Sequence, residues 1–181
     1  MRIISGKYKG KILEGFDLNG TRPTMDRVKE SLFGIIQNHI KGCICLDLFA
    51  GSGALGFEAL SNGAKKCYFV DINPQAIQTI HKNQQHLNVE EEVIFLKQEY
   101  EQALLYFYQN HISLDLIFLD PPYQKEWIQN SIHKIEQYGL LNESGILVCE
   151  YENESFNSIY TCMKEKKYGS KNIKIYINLT K

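Results

Sequence analysis

From residue 43 onward, short apolar runs alternate with segments whose apolar residues recur at helical spacing. The runs at 43–49, 67–72, 93–97, 114–120 and 146–151 predict strands, and the segments 54–61, 74–87, 101–110 and 127–138 predict helices. Pro74 suits a first helical turn, with Asn73 before it as the cap. Strands that are apolar throughout and separated by helices predict a parallel sheet covered on both faces. The last run, "YGSKNIKIYINL", sets Ile173, Ile175 and Ile177 against Lys174, Tyr176 and Asn178. That period of two predicts a half-exposed antiparallel strand closing an otherwise parallel sheet.

Ahead of this α/β core, "RIISGKYKGKIL" flanks a lysine-rich turn with Gly6 and Gly10, the pattern of a small β-hairpin. In "RPTMDRVKESLFGIIQNHI", Thr24 is placed to cap a helix, and Val28, Leu32, Ile35, Ile36 and His39 recur along one face. The expected organisation is a hairpin extension over 1–22 and an α/β domain over 23–181.

The chain of 181 residues fits one such domain and is long enough to fold without disulfide or metal staples. Its five cysteines include Cys43 and Cys45 as a C-x-C but no C-x-x-C and no Cys/His cluster at ligand spacing, so no metal is expected. Cys43, Cys45, Cys67 and Cys149 fall in strand-like runs and read as reduced core thiols. With neither a signal-peptide pattern nor a membrane-length apolar run, the expected location is the cytoplasm, with no membrane partner. Nothing marks a self-association surface, and a monomer is expected.

The formal net charge of −1 conceals an asymmetry. Residues 1–29 carry seven Lys/Arg against three Asp/Glu, and residues 163–181 carry six Lys against one Glu. The 30–162 body carries seven Lys/Arg against seventeen Asp/Glu. Basic ends on an acidic body point to a polyanion held at the termini. Arg2, Lys7, Lys9, Lys11, Arg22 and Arg27 are the expected phosphate contacts.

"CLDLFAGSGALGFEAL" places Gly51, Gly53 and Gly56 after the first strand and at the start of a helix, a complete G-x-G-x-x-G. Asp71 ends the next strand, 20 residues after Gly51, where a nucleotide ribose would be held. Asp47, four residues before Gly51, decides against a dinucleotide, because a carboxylate beside a pyrophosphate is repulsive. S-adenosylmethionine reverses that sign: it carries a sulfonium and an ammonium and no phosphate. Asp47, Gly51, Gly53 and Asp71, with Phe49 and Ile72 at the ends of the first two strand runs, form the expected cofactor set.

"LDLIFLDPPY" carries an acid out of the core and fixes it with two prolines. In an open parallel sheet, ligands bind beyond the carboxyl ends of the strands where strand order reverses. The fourth strand normally neighbours the first there, which brings Asp120 beside the glycine loop. Pro121 and Pro122 lock φ and remove two N–H donors. The Asp120 carboxylate and Pro121 carbonyl then form an acceptor pair, with the Tyr123 ring close by. An exocyclic nucleobase amine suits this array: two N–H donors for two acceptors, and a ring to stack on the tyrosine.

"RPTMDRVKESLF", "LDLFAGSGALGFEALSNGA" and "DLIFLDPPY", in this order and spacing, resemble the RsmD family of bacterial 16S ribosomal RNA guanine-N2 methyltransferases. The resemblance runs from "RIISGKYKG" to "KKYG" and implies a seven-stranded class I methyltransferase fold, Rossmann-like, with S-adenosylmethionine as cofactor and the small ribosomal subunit as partner. It carries over the cofactor roles of Asp47, Gly51, Gly53 and Asp71 and the base-holding roles of Asp120, Pro121 and Tyr123. Where the family usually has an aspartate near the cofactor adenine, this chain offers Glu99; where the family more often has an acid after the last glycine, it has "GSK". Two other readings stay open: adenine-N6 methylation of DNA or RNA, and a non-catalytic RNA-binding assembly factor. An NAD(P)-dependent oxidoreductase is disfavoured by Asp47 and by the tetrapeptide at 120–123.

Overall fold

The computed structural model describes residues 1–15, 23–122 and 126–180. Seven strands form one sheet: β1 (Ile44–Asp47), β2 (Lys66–Val70), β3 (Val93–Leu96), β4 (Leu114–Leu119), β5 (Leu141–Tyr151), β6 (Thr161–Tyr168) and β7 (Lys171–Ile177). Their order is β3-β2-β1-β4-β5-β7-β6. The first five are parallel, and β7 inserts antiparallel between β5 and β6, pairing Val148 with Ile175 and Lys166 with Ile173. The class I methyltransferase topology expected from the sequence is therefore present.

The helices are α1 (Pro23–Ile36), α2 (Ala54–Ser61), α3 (Pro74–Leu87), α4 (Tyr100–Gln109) and α5 (Trp127–Gln137). They cover both faces. Because side chains alternate along a strand, Cys45, Phe69, Phe118, Val148 and Ile175 pack on one face with Phe33 and Ile36 of α1. Leu46, Ile117, Leu119 and Leu147 pack on the other with Phe107 of α4 and Ile132 of α5. Phe118 and Ile117, adjacent in sequence and both fully buried, each contribute roughly 1.5–3 kcal/mol from opposite sides of the same strand.

The N-terminal turn closes on a single antiparallel bridge, Arg2 to Ile12. Ile3 and Leu13 join the α1-side core. The turn is also bound to α2. The fully buried Glu58 carboxylate accepts hydrogen bonds from the backbone N–H groups of Ile4 (3.0 and 3.1 Å) and Ser5 (2.9 Å), and from Ser5 Oγ. Its charge is matched by Lys29 of α1, whose Nζ lies 3.2 Å from Glu58 Oε2 and donates to the Arg2 carbonyl at 2.6 Å. Gly6, at φ +77°, presses so closely on α2 that a Cβ there would sit 2.0 Å from the Ser61 carbonyl oxygen.

Several boundaries differ from expectation. β6 was not legible, because "TCMKEKKY" has no apolar face; it is an exposed edge strand held by the backbone ladder to β7. β5 starts five residues earlier than its apolar run, passing Ser144 at φ +61°. α1 begins at Pro23, so the helix starts one residue before Thr24. Asn73 does cap α3, its Oδ1 accepting from Gln75 N–H at 2.9 Å. Cys43, Cys45, Cys67 and Cys149 are buried free thiols, and Cys162 is exposed. Among the described residues, no helix is long and apolar enough to cross a membrane, and no group of His, Cys, Asp or Glu is arranged to hold a metal.

Candidate active site

The strand order reverses between β1 and β4, which pair Asp47 with Phe118. The loops beyond their carboxyl ends are the glycine loop and Asp120-Pro121-Pro122. The backbone binds these ends together: Leu48 N–H donates to the Phe118 carbonyl at 3.2 Å, and Ala50 N–H to the Val70 carbonyl at 2.9 Å.

The three glycines divide the work. Gly51 has φ +56° and open space where a Cβ would project, so a bound molecule can approach its backbone closely. Gly53, at φ +80°, starts α2 in the left-handed conformation. A Cβ on Gly56 would lie 2.3 Å from the Phe69 ring and 2.7 Å from Cys67 Sγ. Its hydrogen lets α2 pack against β2.

Asp47 is buried, and its Oδ2 accepts from Gly56 N–H at 3.1 Å, placing a negative group at the N-terminal turn of α2. Burial pushes its carboxyl up to about 7, the Gly56 hydrogen bond opposes the rise, and the Asp71 carboxylate adds to it. Asp71 holds the loop itself: Oδ2 accepts from Gly51 N–H at 2.9 Å and Oδ1 from Asn73 N–H at 2.8 Å. Each oxygen keeps a lone pair for a further donor. Ile72 is 54% exposed beside it, an uncovered apolar surface at a strand end. Glu99 is exposed and stands at the N-cap position of α4 without a side-chain capping bond.

Asp120 is half-buried, Pro121 buried and Pro122 exposed. Asp120 follows Leu119, which is level with Cys149 of β5, so it stands beside Glu150. Glu150 in turn makes an ion pair with Lys171 at the start of β7. Burial pushes the Asp120 carboxyl well above the usual carboxylate range, and Glu150 and Asp47 add to the rise while the Lys171 ammonium opposes it. By strand alternation Asp71, Asp47, Asp120 and Glu150 all project to the α1 side of the sheet. They form an acidic row crossing four strands.

Sequence reasoning missed Glu150 and Lys171, because only strand register brings them to Asp120. It also missed an aromatic group around Phe49, whose ring stacks on Trp127 (5.8 Å between centroids, 6° between planes) and tilts against Tyr100 at 5.4 Å. Trp127 was legible only as a helix-start residue, and Tyr100 fell just before the predicted helix at 101–110. Phe49 is thus half-covered by rings from α4 and α5. Tyr123 and Arg22 lie outside the described residues. Arg2, Lys9 and Arg27 line a cavity of about 610 Å³ between the N-terminal turn and α1, together with Asp26 and Glu30. Lys7 and Lys11 are exposed on the same turn.

A family model described as Conserved hypothetical protein 95 matches residues 1–177. YlbH of Bacillus subtilis, which carries the provisional name of an rRNA methyltransferase, is 41% identical over 154 residues, covering 85% of this chain and 84% of its own. The Ribosomal RNA small subunit methyltransferase D of Haemophilus influenzae is 34% identical over 181 residues, covering 98% of this chain and 94% of its own. Among solved structures, yhhF from Escherichia coli superposes with a TM-score of 0.86 at 29% identity, covering 100% of this chain and 99% of that one.

Proposed function

This chain belongs to the Conserved hypothetical protein 95 family, the RsmD family, and from that premise we propose that it transfers a methyl group from S-adenosylmethionine to the N2 amine of a guanine in small-subunit ribosomal RNA. The observation that carries this reading is the convergence of Asp120-Pro121-Pro122 on the glycine loop at the strand-order reversal. That juxtaposition sets an amine-holding acceptor pair next to a nucleoside-holding loop.

The residues present fit the cofactor. Open space over Gly51 admits a ligand to the backbone, the spare lone pairs of Asp71 suit two ribose hydroxyls, and the exposed Ile72 offers a flat apolar contact for an adenine. Phe49 would wall the same loop, Glu99 would accept from the adenine amine, and the acidic row suits sulfonium and ammonium groups. Bound there, the cofactor supplies an activated methyl.

The chain's own residues do the rest. The Asp120 carboxylate and the Pro121 carbonyl would accept hydrogen bonds from the two amine N–H groups, draw the nitrogen out of conjugation with the ring and aim its lone pair, while Tyr123 would stack on the base. The gain is positioning and electrostatics. Asp120 is held beside Glu150 in a half-buried setting that disfavours its charge. Positive charge developing on the amine relieves that repulsion, so the interaction is stronger in the transition state than in the ground state. Asp120 is also the group positioned to take the proton the amine releases.

Arg2, Lys7, Lys9, Lys11, Arg22 and Arg27 would grip phosphates beside the target, with the protein acting as a cytoplasmic monomer. Mass spectrometry of nucleosides from small-subunit rRNA of cells lacking this protein tests the proposal. Loss of N2-methylguanosine, restored by the wild-type gene, supports it. Loss of N6-methyladenosine instead transfers the assignment to the adenine reaction, and an unchanged profile removes the catalytic reading.

A further inference from the structure

We propose that the exposed edge strand β6 is a second phosphate-gripping surface, which holds the RNA on the opposite side of the target base from the N-terminal turn. This inference rests on the RNA-methylation reading above. β6 carries Lys164, Lys166 and Lys167, all exposed. Its one acid, Glu165, is exposed but partnered: Tyr151 Oη donates to it, and Lys174 Nζ lies 3.7 Å away. Lys164 and Lys166 are level with Ile175 and Ile173, so they project to the α1 side of the sheet, as Asp120 does.

The register places Lys164 and Lys166 where a substrate strand would pass, with Lys167 on the other face of β6. Glu150, beside Asp120, is level with Ile173, and Ile173 with Lys166. Lys166 is thus at the height of the candidate base site, three strand spacings or about 14 Å along the same edge. Lys166 Nζ donates to Ser31 Oγ of α1 at 3.1 Å, and Tyr168 Oη donates to the same oxygen at 2.6 Å. Arg27 lies one helical turn from Ser31, and beside it Arg2 and Lys9 line the cavity together with Glu30 and with Asp26, which pairs with Arg2 at 3.0 Å, so the α1 surface between β6 and the N-terminal turn carries both signs. Lysines at such positions act as point charges on phosphates and carry no base readout. Lysines on an edge strand also discourage strand-to-strand association, and the test separates the two roles.

The experiment is a salt titration of binding to protein-free small-subunit rRNA by wild type and by the Lys164→Ala/Lys166→Ala/Lys167→Ala variant. Calorimetric S-adenosylmethionine affinity and circular dichroism verify the fold. The log–log salt slope should become shallower by about 2–3, and affinity at 0.1 M salt should fall by about a hundredfold. A Lys→Arg variant at the same three positions should retain the wild-type slope. An unchanged slope in the Ala variant overturns the proposal, including when that variant newly self-associates, because the lysines then serve only to protect the edge. A defect confined to assembled subunits also overturns it, since the partner would then be a ribosomal protein. If wild type itself does not bind RNA, the methylation reading fails along with this one; wild-type binding with an unaltered variant slope sinks the β6 surface alone.

Discussion

Asp120 is the residue on which the proposed chemistry turns, and its two oxygens do separable things. Asp120→Ala removes an acceptor and should reduce kcat by at least a hundredfold while leaving S-adenosylmethionine affinity near wild type; Asp120→Asn keeps one acceptor and should retain more activity than Ala. Single-turnover rates with saturating RNA check the order. The carboxylate must be ionised to work, and its pKa lies well above the ordinary range through burial and Glu150. The rate should therefore fall as the medium is acidified through a pH higher than a free aspartate would require. Glu150→Gln should shift that limb to lower pH, and a shift in the other direction would contradict the arrangement. Asp47 makes a second pH prediction. Its folded-state value of about 7 exceeds the ordinary 3.8, so the native state holds the proton more tightly than the unfolded chain. The contribution of Asp47 to stability should be greatest below about pH 4 and should decline as pH rises to 7, by up to about 1.4 kcal/mol per unit. Asp47→Asn should flatten that decline in urea titrations. Asp71 was expected to serve the ribose, but it also holds Gly51 and Asn73. Asp71→Ala should weaken cofactor binding by about 1–3 kcal/mol, as read by calorimetry.

At the scale of elements, the contact between the N-terminal turn and α2 depends on one buried carboxylate. Glu58→Ala leaves Lys29 buried without its partner and frees the Ile4 and Ser5 N–H groups. The expected loss is about 3–5 kcal/mol in urea unfolding. Because much of that penalty is the orphaned charge, Lys29→Met in the Glu58→Leu background should recover a large part of it. Additive losses in the double variant would show that the pair does not act as a unit. The anchorage also changes how the basic turn is understood. Its lysine side chains are exposed, but Lys7 N–H donates to the Ser61 carbonyl at 2.7 Å and Tyr8 N–H to Ser61 Oγ at 2.9 Å. The charges are presented from a fixed backbone, which lowers the ordering cost of gripping a phosphate.

Across the whole molecule, charge separates from chemistry. The acidic row lies at the centre of the sheet, and the basic residues lie in the terminal segments. Structure joins the two: Asn83 Nδ2 donates to the carbonyls of both Glu14 and Ser52, tying the chain after the N-terminal turn to the glycine loop. Replacing Lys7, Lys9 and Lys11 by Ala should make the salt slope of RNA binding shallower by roughly 0.7–0.9 per lost contact. Cofactor affinity, measured separately, should not move. A variant that binds and methylates RNA like wild type at every salt concentration would reduce the turn to a solvated surface.

The parallel core was legible in the sequence because strands buried on both faces must be apolar throughout, and because a glycine loop and an Asp-Pro-Pro step are short-range patterns with one local geometry each. The strand ends carrying Asp47, Asp71 and Asp120 followed from the same runs. What the chain could not reveal locally was set by register and packing. β6 has no hydrophobic period, since an exposed edge strand buries little and is specified by the β7 ladder. Glu150 and Lys171 are 30 and 51 residues from Asp120, and only the pairing of β4 with β5 and of β5 with β7 brings them to it. Glu58 lies within a segment whose helical period carries no sign of its role; it is the buried anchor of the N-terminal turn because tertiary packing removed its water and supplied N–H donors and an ammonium in exchange.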